Sequence, residues 1–266
     1  MLRNLEDGRT ICVQLDELGD LAIVEDRGVE DRVDRGLVGA DGLAARPREA
    51  RRGLHLETDG GVMITASHNP AGYNGIKLCG PGASPIGVDT GLGAIKQLVI
   101  EGVRPSGAQG SIRHVEAVQD YVEHLLGIVD PSAIAALDVV VDGGNGMAGI
   151  AVEKVFDRLG ARLQGLYLEP DGTFPNHPAN PLEPENLVDV IAAVRDAGAD
   201  LGVAFDGDAD RAFFIDDTGE VLSGSTTTAL IATWFLERRP GAPIVHNLIT
   251  SRSVPEIIAE HGGTPI

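Results

Sequence analysis

The sequence predicts an α/β protein in which parallel or mixed sheets are flanked by helices. Three observations carry that expectation. Short apolar, β-rich runs alternate with helix-period stretches between Leu137 and Phe205, and each run leads into a turn rich in Gly or Asp. Such strand, helix, strand alternation is the pattern of parallel strands joined by helical crossovers. The third observation is bulk: 266 residues, 43% of them hydrophobic, can bury one or two domain cores.

The unit opens with a strand at Leu137 to Val141 and a turn through Gly143, Gly144 and Gly146. Met147 to Leu159 is expected as helix and Arg162 to Leu168 as the next strand. A proline-rich loop, Asp171 to Pro184, leads to an amphipathic helix from about Glu185 to Ala197, then to a strand Leu201 to Phe205 that ends on Asp206. Ala212 to Ile215 forms one arm of a hairpin that turns at Asp217-Thr218-Gly219-Glu220. Thr226 to Arg239 reads as a helix with Trp234 on its buried face, Pro243 to His246 as a strand and Ser253 to His261 as a helix, with another strand expected to begin near Ile266. Residues 1–60 show no clean period. Their run from Glu25 to Arg52 is charge-dense, and nine of the 21 basic residues, all Arg, precede Gly61. A solvated surface helix or a segment without a native fold is expected there, the least ordered part of the chain.

Forty acidic against 21 basic side chains give a formal charge of −19, which repels phosphate backbones and anionic lipid surfaces. Neither a nucleic acid nor a membrane partner is expected. An anionic small substrate would bind only where Arg, Lys, a metal ion or helix N-termini reverse the field locally. Cys12 and Cys79 are far apart and outside any metal-ligand spacing, so they predict neither a disulfide nor a zinc site. The sequence has no basic segment followed by an apolar run and no stretch of about 18 apolar residues, so a cytoplasmic location is expected.

Two segments carry chemistry. Gly61 to Pro70, ending Thr65-Ala66-Ser67-His68-Asn69-Pro70, is an apolar run that breaks into a polar turn and presents a serine. A serine is a weak nucleophile unless a base, a metal or prior modification activates it. His68 makes no catalytic pair with it if the segment is extended, because adjacent side chains then point to opposite faces. Asp206-Gly207-Asp208-Ala209-Asp210-Arg211 follows a strand and places three carboxylates at alternate positions, hard oxygen ligands suited to Mg²⁺. A turn residue and a solvated acidic turn are the plain alternatives. For Gly143 to Gly146 a simple βα turn is favoured over a phosphate cradle, and His177 and Asn180, in a loop stiffened by Pro175, Pro178 and Pro181, are expected to be structural.

Together these segments resemble the α-D-phosphohexomutase superfamily, which includes phosphomannomutase and phosphoglucomutase. The likeness extends through Ala71-Gly72-Tyr73-Asn74-Gly75-Ile76-Lys77, Asp142-Gly143-Gly144-Asn145-Gly146 and Asp171-Gly172-Thr173-Phe174-Pro175-Asn176-His177, and covers about residues 61 to 266. The resemblance implies that Ser67 is phosphorylated, that Asp206, Asp208 and Asp210 hold Mg²⁺ together with a phosphoryl oxygen on Ser67, and that Arg211 helps to hold that group. It also implies a hexose phosphate substrate, a general acid/base role for Lys77 with a pKa lowered by burial near a cation, and a place for His68 among the catalytic residues.

By the same resemblance, residues 61–129 are the remainder of a first domain with the serine loop, 130–221 a second domain with the metal loop, and 222–266 the start of a third. Within these 266 residues no Gly-Glu-x-Ser-Gly-His-like sugar loop, no fourth domain and no Asp-Ile-Arg-Gly-like stretch is read. The α/β/α set is therefore expected to be incomplete and mutase turnover impaired. A non-catalytic remnant or metal-binding interaction module, and a Mg²⁺-dependent phosphate hydrolase with an aspartyl nucleophile, are the competing readings.

Overall fold

The computed structural model describes residues 13–15, 21–25, 58–70, 72–73, 75–102 and 111–266. The expectation for residues 1–60 falls mostly outside them. Within that stretch, β1 (Val13–Leu15) and β2 (Leu21–Glu25) pair antiparallel. A second antiparallel sheet is formed by β3 (Gly61–Ile64), β4 (Ile76–Gly80) and β5 (Ser84–Pro85). After α1 (Leu92–Glu101), β6 (Ser111–Val115) joins the first sheet beside β2. The helix α2 (Val118–Ile128) then buries Val122 and Leu126, four residues apart on one face.

The expected α/β unit comes next. β7 (Asp138–Asp142), α3 (Gly149–Phe156), β8 (Arg162–Leu166), α4 (Val188–Ala197), β9 (Leu201–Phe205) and β10 (Ala212–Asp216) form a four-stranded sheet in the order β10-β9-β7-β8. β7 runs parallel to both β8 and β9, and β10 closes the edge antiparallel to β9, so the sheet is mixed. The unbroken Val139-Val140-Val141 run is explained by burial on both faces, as a central parallel strand requires. Val139 and Val141 pack with Val203, Val152 and Phe156 on one side, whereas Val140 packs with Leu187, Val190, Val194 and Ile215 on the other. Both layers leave the carboxyl ends of the strands as loops.

The turn expected at Asp217 to Glu220 is present. Ile215 bridges Val221, and the Asp216 amide donates to the Glu220 carbonyl at 2.9 Å. Downstream, α5 (Gly224–Arg238) packs on α6 (Ser253–Glu260) through Ala229, Ala232, Leu236, Val254 and Ile258, and β11 (Pro243–Ile244) pairs in parallel with β12 (Thr264–Pro265). Trp234 corrects the sequence expectation. It is 55% exposed, because the buried stripe of α5 runs through 229, 232 and 236 and position 234 lies on the far side of the helix. Its ring is covered instead by the Arg238 guanidinium, 4.0 Å from the centroid. Among the described residues no helix is long and apolar enough to cross a membrane.

Candidate active site

Two loops that are some 140 residues apart in sequence meet at the carboxyl end of the mixed sheet. The serine loop leaves β3 and returns through β4, held by the Thr65 amide donating to the Gly75 carbonyl at 2.9 Å and the Asn69 amide donating to the Ala66 carbonyl at 3.0 Å. At its apex Ser67 has a positive φ of 54°, a left-handed conformation uncommon outside Gly and Asn, and its amide is anchored on Thr65 Oγ1 at 2.9 Å. The acidic loop links β9 to β10. Its Gly207 touches the serine loop so closely that a Cβ there would lie 2.2 Å from the Ser67 carbonyl oxygen. Gly207→Ala should therefore push the loops apart and lower the unfolding free energy by about 1–3 kcal/mol, the usual cost of overpacking. Urea denaturation measures this, and an unchanged midpoint would mean that the loops are not in contact.

This approach places the candidate residues in one cluster. Ser67 Oγ donates to Asp206 Oδ2 at 3.0 Å and accepts from Arg211 Nη2 at 3.0 Å. Arg211 also grips fully buried Asp206, with Nε and Nη2 at 2.9 and 2.6 Å from Oδ2 and its own amide at 3.1 Å from Oδ1. Thr65 Oγ1 donates to Asp208 Oδ2 at 2.9 Å. Lys77, projecting from β4, lies 2.8 Å from Asp210 Oδ2 and 2.9 Å from Asp208 Oδ2. Carboxylate oxygens of Asp206, Asp208 and Asp210 all lie within 4.8 Å of one another.

The first departure is from the expectation of an extended segment at His68. Its Nδ1 sits 3.3 Å from Ser67 Oγ and contacts Arg211 Nη2, because the left-handed turn at Ser67 removes the extended geometry that would have separated neighbouring side chains. Lys77 is the second. Partial burial opposes its charge, but the hydrogen bonds and charges of Asp210 and Asp208 outweigh burial and hold the ammonium well above the ordinary lysine pKa, not below it. Burial pushes Asp206 up despite the Arg211 hydrogen bonds. Asp210 is held low because Lys77 and its other partners outweigh burial.

The cluster has the donor chemistry of a hard cation. Among the described residues, Asp208 Oδ1 and Asp210 Oδ1 are buried and accept no hydrogen bond, and the three carboxylates face two cationic side chains, Lys77 and Arg211. Three carboxylates without nitrogen or sulfur donors suit a hard divalent cation.

The Gly143 to Gly146 turn is close by but has no donors to offer a phosphate. Its amides are spent on Leu166 O, Asp142 Oδ1, Tyr167 O and Gly143 O, in chain order. It is a βα turn that supports the acidic loop, to which the Met147 amide donates at Gly207 O, 2.9 Å away. Sequence reading missed Thr65, whose hydroxyl ties the two loops together. The only available signal was its place two residues before Ser67. His177 is bound to Asp142, and Asn180 caps its own loop.

Fold and cluster together define an α/β protein with a serine loop pressed against a cation-type acidic loop. A family model described as phosphoglucomutase/phosphomannomutase, alpha/beta/alpha domain I, matches residues 42–102, and the model for domain II of the same family matches residues 119–219. The chain belongs to the phosphoglucomutase/phosphomannomutase family. It is 39% identical over 251 residues to a phosphomannomutase of Salmonella typhimurium, an alignment that covers 91% of this chain and 54% of that protein. It is 42% identical over 213 residues to a protein of Xanthomonas campestris named phosphohexose mutases, covering 80% and 48%. A crystal structure of a phosphoglucomutase/phosphomannomutase family protein from Burkholderia thailandensis superposes with a TM-score of 0.71 at 34% identity, covering 82% of this chain and 46% of that one. The chain thus spans about half the length of the relatives it matches.

Proposed function

We propose that the chain carries the phosphoryl-handling part of a phosphohexomutase, with Ser67 as the residue that takes and returns the phosphoryl group of a mannose or glucose phosphate. The observation that supports this best is the position of Ser67 Oγ, within 3.0 Å of both Asp206 Oδ2 and Arg211 Nη2 and beside two buried carboxylate oxygens that accept no hydrogen bond among the described residues. An unmodified serine has little use for that surrounding charge. A phosphoserine, at about −1.5 to −2, needs the Arg211 guanidinium and a cation of the kind that these carboxylates would hold. In this reading residues 61–129 form the serine-loop domain, 130–221 the acidic-loop domain and 222–266 the beginning of a third.

Asp206, Asp208 and Asp210 would hold Mg²⁺, which when bound neutralises charge on the transferring group. The chain's own residues do the rest. Arg211, already paired with Asp206, directs a second N–H at the serine oxygen and so orients the phosphoryl group. Thr65 and Gly207 set the distance between the loops. In transfer, the P–O bond to Ser67 breaks as a P–O bond to a sugar hydroxyl forms. The net proton movement is from the sugar hydroxyl to the serine oxygen. Lys77, protonated at Nζ among the carboxylates, is assigned the acid/base role, giving its proton to the departing serine oxygen as the hydroxyl proton replaces it, and His68 Nδ1 flanks the serine oxygen.

The test is the half-reaction. Incubation with a hexose 1,6-bisphosphate and Mg²⁺ should add one phosphoryl group to the chain, seen by intact mass and mapped by peptide sequencing to Ser67. Ser67→Ala should lose the label completely. Label on another residue, or none in the folded wild-type chain, refutes the assignment, and release of free phosphate without labelling would favour a hydrolase.

A further inference from the structure

One side chain outside the cluster ties the proline-rich loop to the end of β7. His177 is largely buried, and both ring nitrogens face acceptors: Nε2 lies 3.0 Å from Asp142 Oδ2, and Nδ1 lies 2.9 Å from the Pro178 carbonyl oxygen. A carbonyl and a carboxylate oxygen only accept, so both nitrogens must carry hydrogen, whereas a neutral imidazole has a single N–H. The ring is therefore an imidazolium with Asp142, 1% exposed, as its counter-ion. Asp142 Oδ1 accepts the Gly144 amide at 2.8 Å, which leaves Oδ2 as the oxygen that faces the ring.

The other groups facing the ring agree. Tyr167 packs edge-on, 5.4 Å between centroids, and donates its hydroxyl to Asp189 Oδ2 at 2.8 Å, so the titratable neighbours are Asp142 on β7, Tyr167 after β8 and Asp189 on α4. The hydrogen bond to Asp142 outweighs burial and raises the His177 pKa above its ordinary 6.5.

From Asp142 a short chain of contacts reaches the acidic loop. Its Oδ1 fixes the Gly144 amide, and Gly146 lies so close to Gly207 that a Cβ would sit 2.7 Å from the Gly207 carbonyl oxygen. The Met147 amide donates to that same oxygen at 2.9 Å. On the other side of the turn, Asn176, next to His177, donates to Asn145 Oδ1 at 2.7 Å. Gly207 stands between Asp206 and Asp208, so the turn that His177 anchors sets the position of both carboxylates.

We propose that His177, held as an imidazolium between Asp142 and the Pro178 carbonyl, is a positioning residue for the acidic loop. Its proton keeps the Asp142 to Met147 turn seated on Gly207, and loss of the proton loosens Asp206 and Asp208. The consequence for cation binding rests on the metal reading above, but the positioning itself does not. The sign is set by the direction of the shift. A histidine with a raised folded-state pKa contributes stability in full below about pH 6.5, its ordinary value, and loses that contribution as pH rises through the higher folded value. Carboxylate sites otherwise bind cations as well or better at mildly alkaline pH, so a decline there is diagnostic.

The experiment is a ¹⁵N NMR titration of the whole chain from neutral to mildly alkaline pH, following the His177 ring nitrogens and the Met147 and Gly207 amides, with Mg²⁺ affinity measured by calorimetry in parallel. Both ring nitrogens should be protonated at neutral pH, and the two amides should shift with the ring's midpoint. Mg²⁺ affinity should fall several-fold through that same midpoint, and in His177→Gln the amide shifts and the affinity should both be flat. A neutral ring at neutral pH, or amides that do not follow the ring, overturns the proposal on wild-type protein alone, whether or not the variant folds. An equal fall in affinity in His177→Gln overturns it as well. Absence of Mg²⁺ binding at every pH would refute the metal reading, while the amide titration still decides the positioning role.

Discussion

Asp208→Asn should abolish the thermal stabilisation of this chain by Mg²⁺. In the wild type, a cation at 100 times its dissociation constant stabilises the folded state by about 2.7 kcal/mol through mass action. That corresponds to a rise of about 5–10 °C in melting temperature for a chain of this size. Asp208 is the pivot because it is 5% exposed, its Oδ1 accepts no hydrogen bond among the described residues, and its Oδ2 is already committed to Thr65 and Lys77. The amide keeps the shape and removes the charge. The cation-free variant should melt no lower than wild type, since one of three mutually repelling carboxylates is gone. Differential scanning calorimetry with Mg²⁺ and with a chelator gives both numbers, and an undiminished Mg²⁺ shift in Asp208→Asn would falsify the acidic loop as the cation site.

Arg211→Met should cost the cation-free protein about 3 kcal/mol of unfolding free energy, the low end of the range for removing one partner from a buried ion pair. The low end applies for two reasons. Asp206 would keep the Ser67 hydroxyl and the backbone amide of residue 211 as donors, and Arg211 is itself a third exposed. What remains is a fully buried carboxylate beside Asp208 and Asp210 without its bidentate guanidinium. Arg211→Lys should recover only part of the loss, because an ammonium cannot make the paired contact that Nε and Nη2 make. Urea unfolding in chelator measures the loss. A variant as stable as wild type would show that the Arg211 to Asp206 pair is not formed in solution.

Much of the architecture was open to reading along the chain because it rests on local periodicity. The run that ends at Val141 predicts a strand, and the helices and turns from Met147 to His261 emerge within a few residues of their expected limits. Ser67 and the three aspartates stand out because each sits where an apolar run breaks into a polar turn. Side-chain direction was less accessible. Trp234 has the composition of a core residue, but its place on the helix circumference is set by which of Ala229, Ala232 and Leu236 meet α6.

The sequence by itself determined that the chain alternates strand and helix, that its carboxylates sit at alternate positions in one loop, and that a serine is presented in another. These features arise from neighbours in the chain, through hydrogen bonding, apolar period and turn chemistry. Only the tertiary structure decided that Thr65 reaches Asp208, that Lys77 is clamped by Asp208 and Asp210 so that its pKa rises, that the turn at Ser67 brings His68 beside the serine, and that His177 is held by Asp142. Each depends on a distance of about 3 Å between residues remote in the chain or on one backbone angle. Electrostatic interaction varies inversely with distance and with local dielectric, neither of which a linear order of residues contains.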